Sequence, residues 1–139
     1  MTILEQKAVS FLEKTNVVAM SSITENGYPR ICAMAKLKSE EFTLWVSTGA
    51  NSKKVEHYKN NPNAGILFYD ADDSVTLNGV VEIIQGTDVN IQNIKKELWQ
   101  DWLINHFHKG VDDPNFCVLK FTAKEAIIYI DGEFESFSY

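Results

Sequence analysis

Between Val17 and Thr48 the chain fits three strand-like runs into a stretch with almost no connecting sequence. "VVAMSSIT" (17–24) is followed by "ENGYP", whose Asn26-Gly27 pair suits a tight hairpin, and by the return run "RICAMAKLK" (30–38). "SEE" turns the chain into "EFTLWVST" (41–48), rich in aromatic and β-branched residues. Parallel neighbours need crossovers of roughly a dozen residues or more, so these runs are expected to pair antiparallel.

More strands follow. "NAGILFYD" (63–70) and "DSVTLNGVVEIIQ" (73–85) read as two, and Gly79 marks a bulge or bend of the kind a closing barrel requires. "FCVLKFTA" (116–123) and "EAIIYID" (125–131) read as a last pair, followed by the aromatic tail "GEFESFSY". Three helices interrupt them. Residues 2 to 15 open with Thr2 and Glu5 in capping-box spacing and put Leu4, Ala8, Phe11 and Leu12 on one face. A short helix begins at Lys53 and stops at Asn61-Pro62. Residues 88 to about 104 carry Ile91, Ile94, Leu98 and Trp102 along one stripe. The expected fold is mainly β with flanking helices: one domain, residues 1–139, built on six or seven antiparallel strands closed as a small barrel.

The chain has 139 residues, 45% of them hydrophobic and 23% charged, enough to bury a core. Its net charge of −6 argues against binding nucleic acid or an anionic membrane through a broad basic surface. Any bound anion needs a local site. Cys32 and Cys117 have neither CxxC nor metal-ligand spacing and read as reduced thiols. No signal-peptide core or membrane-spanning apolar run occurs, so the expected location is the cytoplasm.

"VSTGANSKKVEHYKNNP" poses an electrostatic problem. Lys53 and Lys54 open a helix, where unpaired N–H groups already carry partial positive charge. Each lysine there costs about 0.3–1 kcal/mol unless an anion reverses the sign. Ser47, Thr48 and Ser52 add hydroxyl donors, while Gly49 and Asn51 permit a tight turn. Two readings stand at this point: lysines solvated and tolerated, or a phosphate site built from hydroxyl, amide and ammonium donors. In "RICAMAKL", Ile31, Ala33, Ala35 and Leu37 share one face and are expected to fill the barrel. Arg30, Cys32, Met34 and Lys36 share the other, a surface suited either to a flat aromatic ring or to a subunit interface.

The succession "YPRICAMAKL", "FTLWVST", "GANSKKVEHYKNNPN", "AGILFYD" resembles the pyridoxamine 5'-phosphate oxidase-like FMN-binding split barrels. The similarity continues through "VTLNGVVEII", and "FHKGVDDPNFCVLKFT" is similar to the general stress protein subgroup. It spans about residues 5 to 131. S-x-K before the short helix is its most specific piece, and G-x-D-D-P the second.

The resemblance implies a homodimer with two FMN molecules in clefts between subunits. It implies that Thr48, Ser52, Lys53 and Lys54 hold the phosphate, with Ser47 nearby. Arg30, Ile31, Cys32 and Ala33 would line the isoalloxazine, Met34 would extend that wall, and Ser74 would reach the cofactor from its strand. Three departures matter. Ala35 replaces the substrate lysine of the true oxidase, and Lys36 lies one residue out of register. "DGEFESFSY" lacks the oxidase's Arg-, Trp- and His-rich ending, so pyridoxamine phosphate oxidation is not expected. Ile130 and His108 stand where the stress subgroup often has tryptophan and proline.

Elsewhere, His106 and His108 read as an exposed loop end rather than metal ligands, and Asp112 and Asp113 as a turn before Pro114. Trp45 reads as core; Trp99 and Trp102 are candidates to cover a flavin from the partner subunit, but Trp102 fits the helix stripe equally well, and that reading is preferred. No general acid or base stands out. The resulting expectation is an FMN-dependent oxidoreductase acting on a small molecule. A flavin-binding module without turnover, and a haem or deazaflavin binder in the same cleft, are the alternatives.

Overall fold

The computed structural model describes residues 1–139. In chain order it contains α1 (Ile3–Glu13), β1 (Val17–Ile23), β2 (Pro29–Glu40), β3 (Thr43–Gly49), α2 (Lys53–Asn60), β4 (Asn63–Asp70), β5 (Asp73–Ile84), α3 (Val89–Leu98), 3-10 turns at Asp101–Asn105 and Gly110–Asp112, β6 (Phe116–Ile130) and β7 (Glu133–Ser138). The strand order is β3-β2-β1-β4-β5-β6-β7, and β3 also pairs with β6. That pairing closes six antiparallel strands into a barrel and leaves β7 as an extra strand on β6. β1 and β4 are joined by two residue pairs, Ala19–Leu67 and Met20–Ile66.

β6 is the spine. Phe116 to Thr122 pair with β3, Val118 to Tyr129 with β5, and Glu125 to Ile130 with β7. The strand pair expected at 116–123 and 125–131 is therefore one continuous strand. The apparent break at Lys124 is a bulge opposite Asn78 and Gly79, which shifts the register by one residue. The partner of the second half is the tail. Asp131 (φ 54°) and Gly132 (φ 79°) form the two-residue turn between them, the Asp-Gly signature of a tight hairpin.

The barrel core contains Met20, Leu44, Ile66, Phe68, Leu77, Leu119, Phe121 and Ile128, and α1 covers it with Leu4, Ala8 and Leu12. A second cluster lies under α3 and the first 3-10 turn, around Leu98, Leu103, Phe107, Phe116 and Val118. The capping box of α1 is formed: Glu5 N–H donates to Thr2 Oγ1 at 3.1 Å, and Thr2 N–H to Glu5 Oε1 at 3.0 Å.

Two expectations about faces are corrected. In β2, Met34 is 4% exposed in the core and Cys32 packs against it, whereas Ile31 is 70% exposed and Ala33 lies outside. Each face of this strand carries apolar residues, Ile31 and Ala33 on one and Cys32 and Met34 on the other, so alternation alone did not fix which one turns inward. A bulge between Lys36 and Lys38 then resets the phase and buries Leu37. The long helix also ends early. α3 stops at Leu98, Trp99 is extended, and a 3-10 turn begins at Asp101. Trp99 packs edge-on against Phe116, with ring centroids 5.3 Å apart, while Trp102 leaves the stripe and is 40% exposed. Trp45 is half-buried and packs against the second cluster, with the ammonium groups of Lys38 and Lys120 at 5.2 and 5.6 Å from its ring centroid.

The bulge tolerates only glycine at position 79. A Cβ there would lie 2.1 Å from the Thr122 carbonyl oxygen and 2.9 Å from Ala123 Cα, both backbone. Gly79→Ala is expected to cost about 1–3 kcal/mol by overpacking, read as a fall in the thermal midpoint. The second prediction concerns Glu5, which is 6% exposed and accepts a 2.5 Å hydrogen bond from the Tyr139 hydroxyl. That bond and the Thr2 amide hold its carboxyl below the ordinary carboxylate range against the opposing effect of burial. A depressed acid stabilises the fold above its unfolded value, and that contribution is lost as pH falls through the lower folded value. Glu5→Gln should therefore lower the thermal midpoint at neutral pH and flatten its decline below the ordinary carboxylate range.

Candidate functional site

β2 and β3 pair from Glu40–Thr43 as far as Lys36–Val46 and then part. In the gap lies a cavity of about 340 Å³ lined by Ala33, Met34 and Ala35 of β2, Ser47, Thr48 and Gly49 of β3, Lys54 of α2, and Trp102, His106, Phe107 and Asn115. It carries a lysine and no carboxylate. Four other surface cavities, of about 450, 470, 190 and 430 Å³, each include Asp or Glu. In a chain with 19 acidic and 13 basic side chains, the β2–β3 gap is the one of these five cavities where an anion meets least repulsion.

The start of α2 forms one side of the site. Ser52 is the N-cap residue but makes no side-chain bond to the helix; its hydroxyl lies 3.2 Å from Thr48 Oγ1. The first amides of α2 thus gain no side-chain cap, and two hydroxyls are held together beside them. The helix is fixed from behind: Ser22 Oγ and His57 Nδ1 are 2.8 Å apart in a buried contact, and the Tyr58 hydroxyl donates to the Ser21 carbonyl at 2.8 Å. Burial raises the Tyr58 phenol above its usual value, so this donor stays protonated.

The turn from β3 to α2 is supported by the second sequence motif. Asp113 accepts from the amides of Asn115 at 2.9 Å and Lys109 at 3.2 Å, and these bonds hold its carboxyl below the usual range. The loop so folded presents Asn115, whose carbonyl accepts from Ala50 N–H at 2.9 Å and whose side-chain oxygen accepts from Asn51 N–H at 3.4 Å. A Cβ on Gly49 would stand 3.3 Å from the Asn115 amide nitrogen, so glycine makes room for this side chain. The Asp113 turn was legible in the sequence; its service to the lysine turn was not.

The sequence-predicted residues divide into groups. Ala33, Ser47, Thr48 and Lys54 line the one cavity, and Ser52 reaches it through Thr48. Lys53 is exposed and opens with Arg30 onto the neighbouring 430 Å³ cavity, which also holds Glu25, Glu56 and His57. The two lysines therefore point into different electrostatic settings. Ile31 lies on the outer face, while the Cys32 side chain turns toward the core. Ser74 is near the far end of β5, paired with Tyr69 and Tyr129, and does not line the cavity of its own chain. Lys36 is committed elsewhere: its ammonium donates to the Leu12 and Glu13 carbonyls at the end of α1, and burial draws it below the usual lysine range. Trp102, His106 and Asn115 also line this cavity: the sequence offered Trp102 as a flavin cover but favoured the helix stripe, read His106 as a loop end and left Asn115 unassigned.

No helix is long and apolar enough to cross a membrane. Cys117 is buried, with its thiol pushed up to about 11 by desolvation, and Cys32 is also free.

Comparison with known proteins gives a consistent family. Residues 4–129 match the pyridoxamine 5'-phosphate oxidase family model. General stress protein 26 of Bacillus subtilis is 26% identical over 132 residues, covering 94% of this chain and 91% of that protein. The crystal structure of a related protein from Clostridium acetobutylicum superposes with a TM-score of 0.84 at 28% identity, covering 97% of this chain and 94% of that one. Two remoter structures share the fold. One is an FMN-binding protein from Nostoc punctiforme (TM-score 0.69, 16% identity, 97% and 93% covered). The other is a haem-binding protein from Mycobacterium smegmatis (TM-score 0.76, 15% identity, 99% of this chain and 59% of that one). With its closed split barrel and a match across almost its whole length, this chain belongs to the pyridoxamine 5'-phosphate oxidase family.

Proposed function

We propose that this protein is a cytoplasmic FMN-binding flavoprotein that oxidises or reduces a small molecule other than pyridoxamine phosphate. The observation that carries the reading is the carboxylate-free cavity at the uncapped start of α2, where Thr48, Ser52 and Lys54 converge. These residues fit a phosphate: hydroxyl, amide and ammonium donors meet around one space, and the missing cap leaves the helix charge for the ligand. The small outward side chains of Ala33 and Ala35 leave an even wall beside it for a flat ring. Bound FMN would supply hydride or electron transfer, and Thr48, Ser52 and Lys54 would hold its phosphate. The commitment of Lys36 to α1 argues against the oxidase's substrate chemistry.

The cofactor reading includes a homodimer. The outer face of β2, β1, β4, β5 and β6 carries the row Ala33, Ala19, Leu67, Thr76 and Ile127 in register, flanked by exposed Val17, Ile31, Tyr69 and Tyr129. A contiguous apolar face of this kind favours burial against a second copy. Ser74 lies on it between Tyr69 and Tyr129, and so reaches a cofactor only if that cofactor is held by the partner.

The split between the lysines gives the first test. Lys54→Ala should weaken FMN binding roughly 10- to 100-fold, the loss of one charge-assisted contact, in a fluorescence titration. Lys53→Ala, exposed beside Glu25 and Glu56, should change it by less than about threefold. Equal effects would reject the assignment of the phosphate to the β2–β3 cavity. The absorption spectrum of the purified protein separates the cofactors, since flavin bands support FMN and a Soret band supports haem. Leu67→Glu places a charge at the centre of the apolar row; light scattering should then report a monomer, with FMN affinity reduced. A dimer that persists in this variant would place the interface elsewhere.

A further inference from the structure

The first 3-10 turn divides its side chains between two duties. Leu103 and Phe107 are buried in the second core cluster and fasten the turn to the barrel. Trp102 and His106, four residues apart, line the carboxylate-free cavity instead. The indole is held in a fixed attitude: its N–H donates to Gln100 Oε1 at 2.6 Å, and the Gln100 amide donates to the Leu37 carbonyl of β2 at 2.9 Å. His106 is anchored through its backbone N–H to Leu103 O at 3.0 Å, which leaves the imidazole free. The two rings meet almost at right angles, with an interplanar angle of 83° and centroids 6.2 Å apart. They form a corner with one broad aromatic face and one hydrogen-bonding edge.

A relay that immobilises a partly exposed indole beside an unpaired imidazole has no role in holding the core together. It resembles a recognition surface, since aromatic faces take flat rings and an imidazole offers an N–H donor in either charge state. Lys54 and the Asn115 amide border the same space, and no Asp or Glu opposes a negative ligand. We propose that the Trp102–His106 corner is the substrate subsite and selects small aromatic carboxylates: the ring lies on the indole and the carboxylate accepts from His106. The proposal rests on the functional reading above, in that it places the substrate at the Trp102–His106 side of the cavity whose Lys54 side would hold the cofactor's phosphate. The same chemistry, a planar ring bearing negative charge, also belongs to a reduced flavin, so the experiment must separate the two sources.

The test is isothermal titration of the full-length, FMN-loaded protein with sodium benzoate, alongside flavin-fluorescence titration for FMN itself. Wild type should bind benzoate, and the uncharged analogue benzyl alcohol should bind more weakly. Trp102→Ala and His106→Ala should each weaken benzoate roughly fivefold or more, the loss of one ring contact or one hydrogen bond. Because both residues also line the cavity assigned to the phosphate, FMN affinity should fall in both variants, but by a clearly smaller factor than benzoate affinity. Both residues lie at the cavity rim, and an unchanged thermal midpoint checks that the variants are folded. Absence of benzoate binding to wild type, or binding unaltered in both variants, would overturn the proposal. FMN affinity falling in step with benzoate would also overturn it, because the corner would then hold the cofactor's own ring. If wild type takes up no FMN, the cofactor reading fails separately, and the same titration of the cofactor-free protein decides the subsite.

Discussion

The pairing of β3 with β6 is the constraint on which the site depends. It sets Thr48 against Cys117 and Gly49 against Phe116, and so brings the lysine turn beside the loop that begins β6. Without this closure, Asn115 would not meet the amides of Ala50 and Asn51, and the 3-10 turn carrying Trp102 would have no cavity to face. β6 can serve both neighbours because it is long and bulged. β5 stays paired with it on both sides of the bulge at Gly79, while its other edge passes from β3 to β7.

Charge is the second organising element. An acidic chain keeps the β2–β3 cavity free of carboxylates and places a half-buried lysine in it, while that lysine's sequence neighbour faces Glu25 and Glu56. The Ser52 hydroxyl turns to Thr48 instead of capping its own helix, so the electropositive end of α2 is left available to a ligand. Local stability is given up there, whereas α1 is fully capped at its start and held at its end by Lys36. The contrast between two helices of one small domain is between a terminus sealed by its own side chains and one left open.

Turns, caps and local motifs were legible in the sequence because their physics is short-range. The capping box of Thr2 and Glu5, the hairpin at Asn26-Gly27, the bulge at Gly79 and the turn at Asp113 each follow from neighbouring residues, as does the antiparallel pairing of the first three strands. The lysines at the start of α2 raised an electrostatic question that local sequence left open between solvation and an anion site. The Asp131-Gly132 turn was equally readable, but "GEFESFSY" was taken as a tail instead of a strand because its partner had been assigned to another pairing.

Only the tertiary structure decided which face of β2 turns inward, where the long helix breaks, and which lysine meets which charges. Met34 and Ile31 are both apolar, so the choice between them rests on what fills the barrel, a property of the packed core rather than of the strand. Trp102 fits a helix stripe as well as a cavity wall until Trp99 commits to Phe116 and ends the helix. The sequence by itself determined the kinds of element and their turns, because these depend on neighbouring residues. Closure of the barrel determined the site, because its donors come from four distant segments whose meeting no local rule specifies.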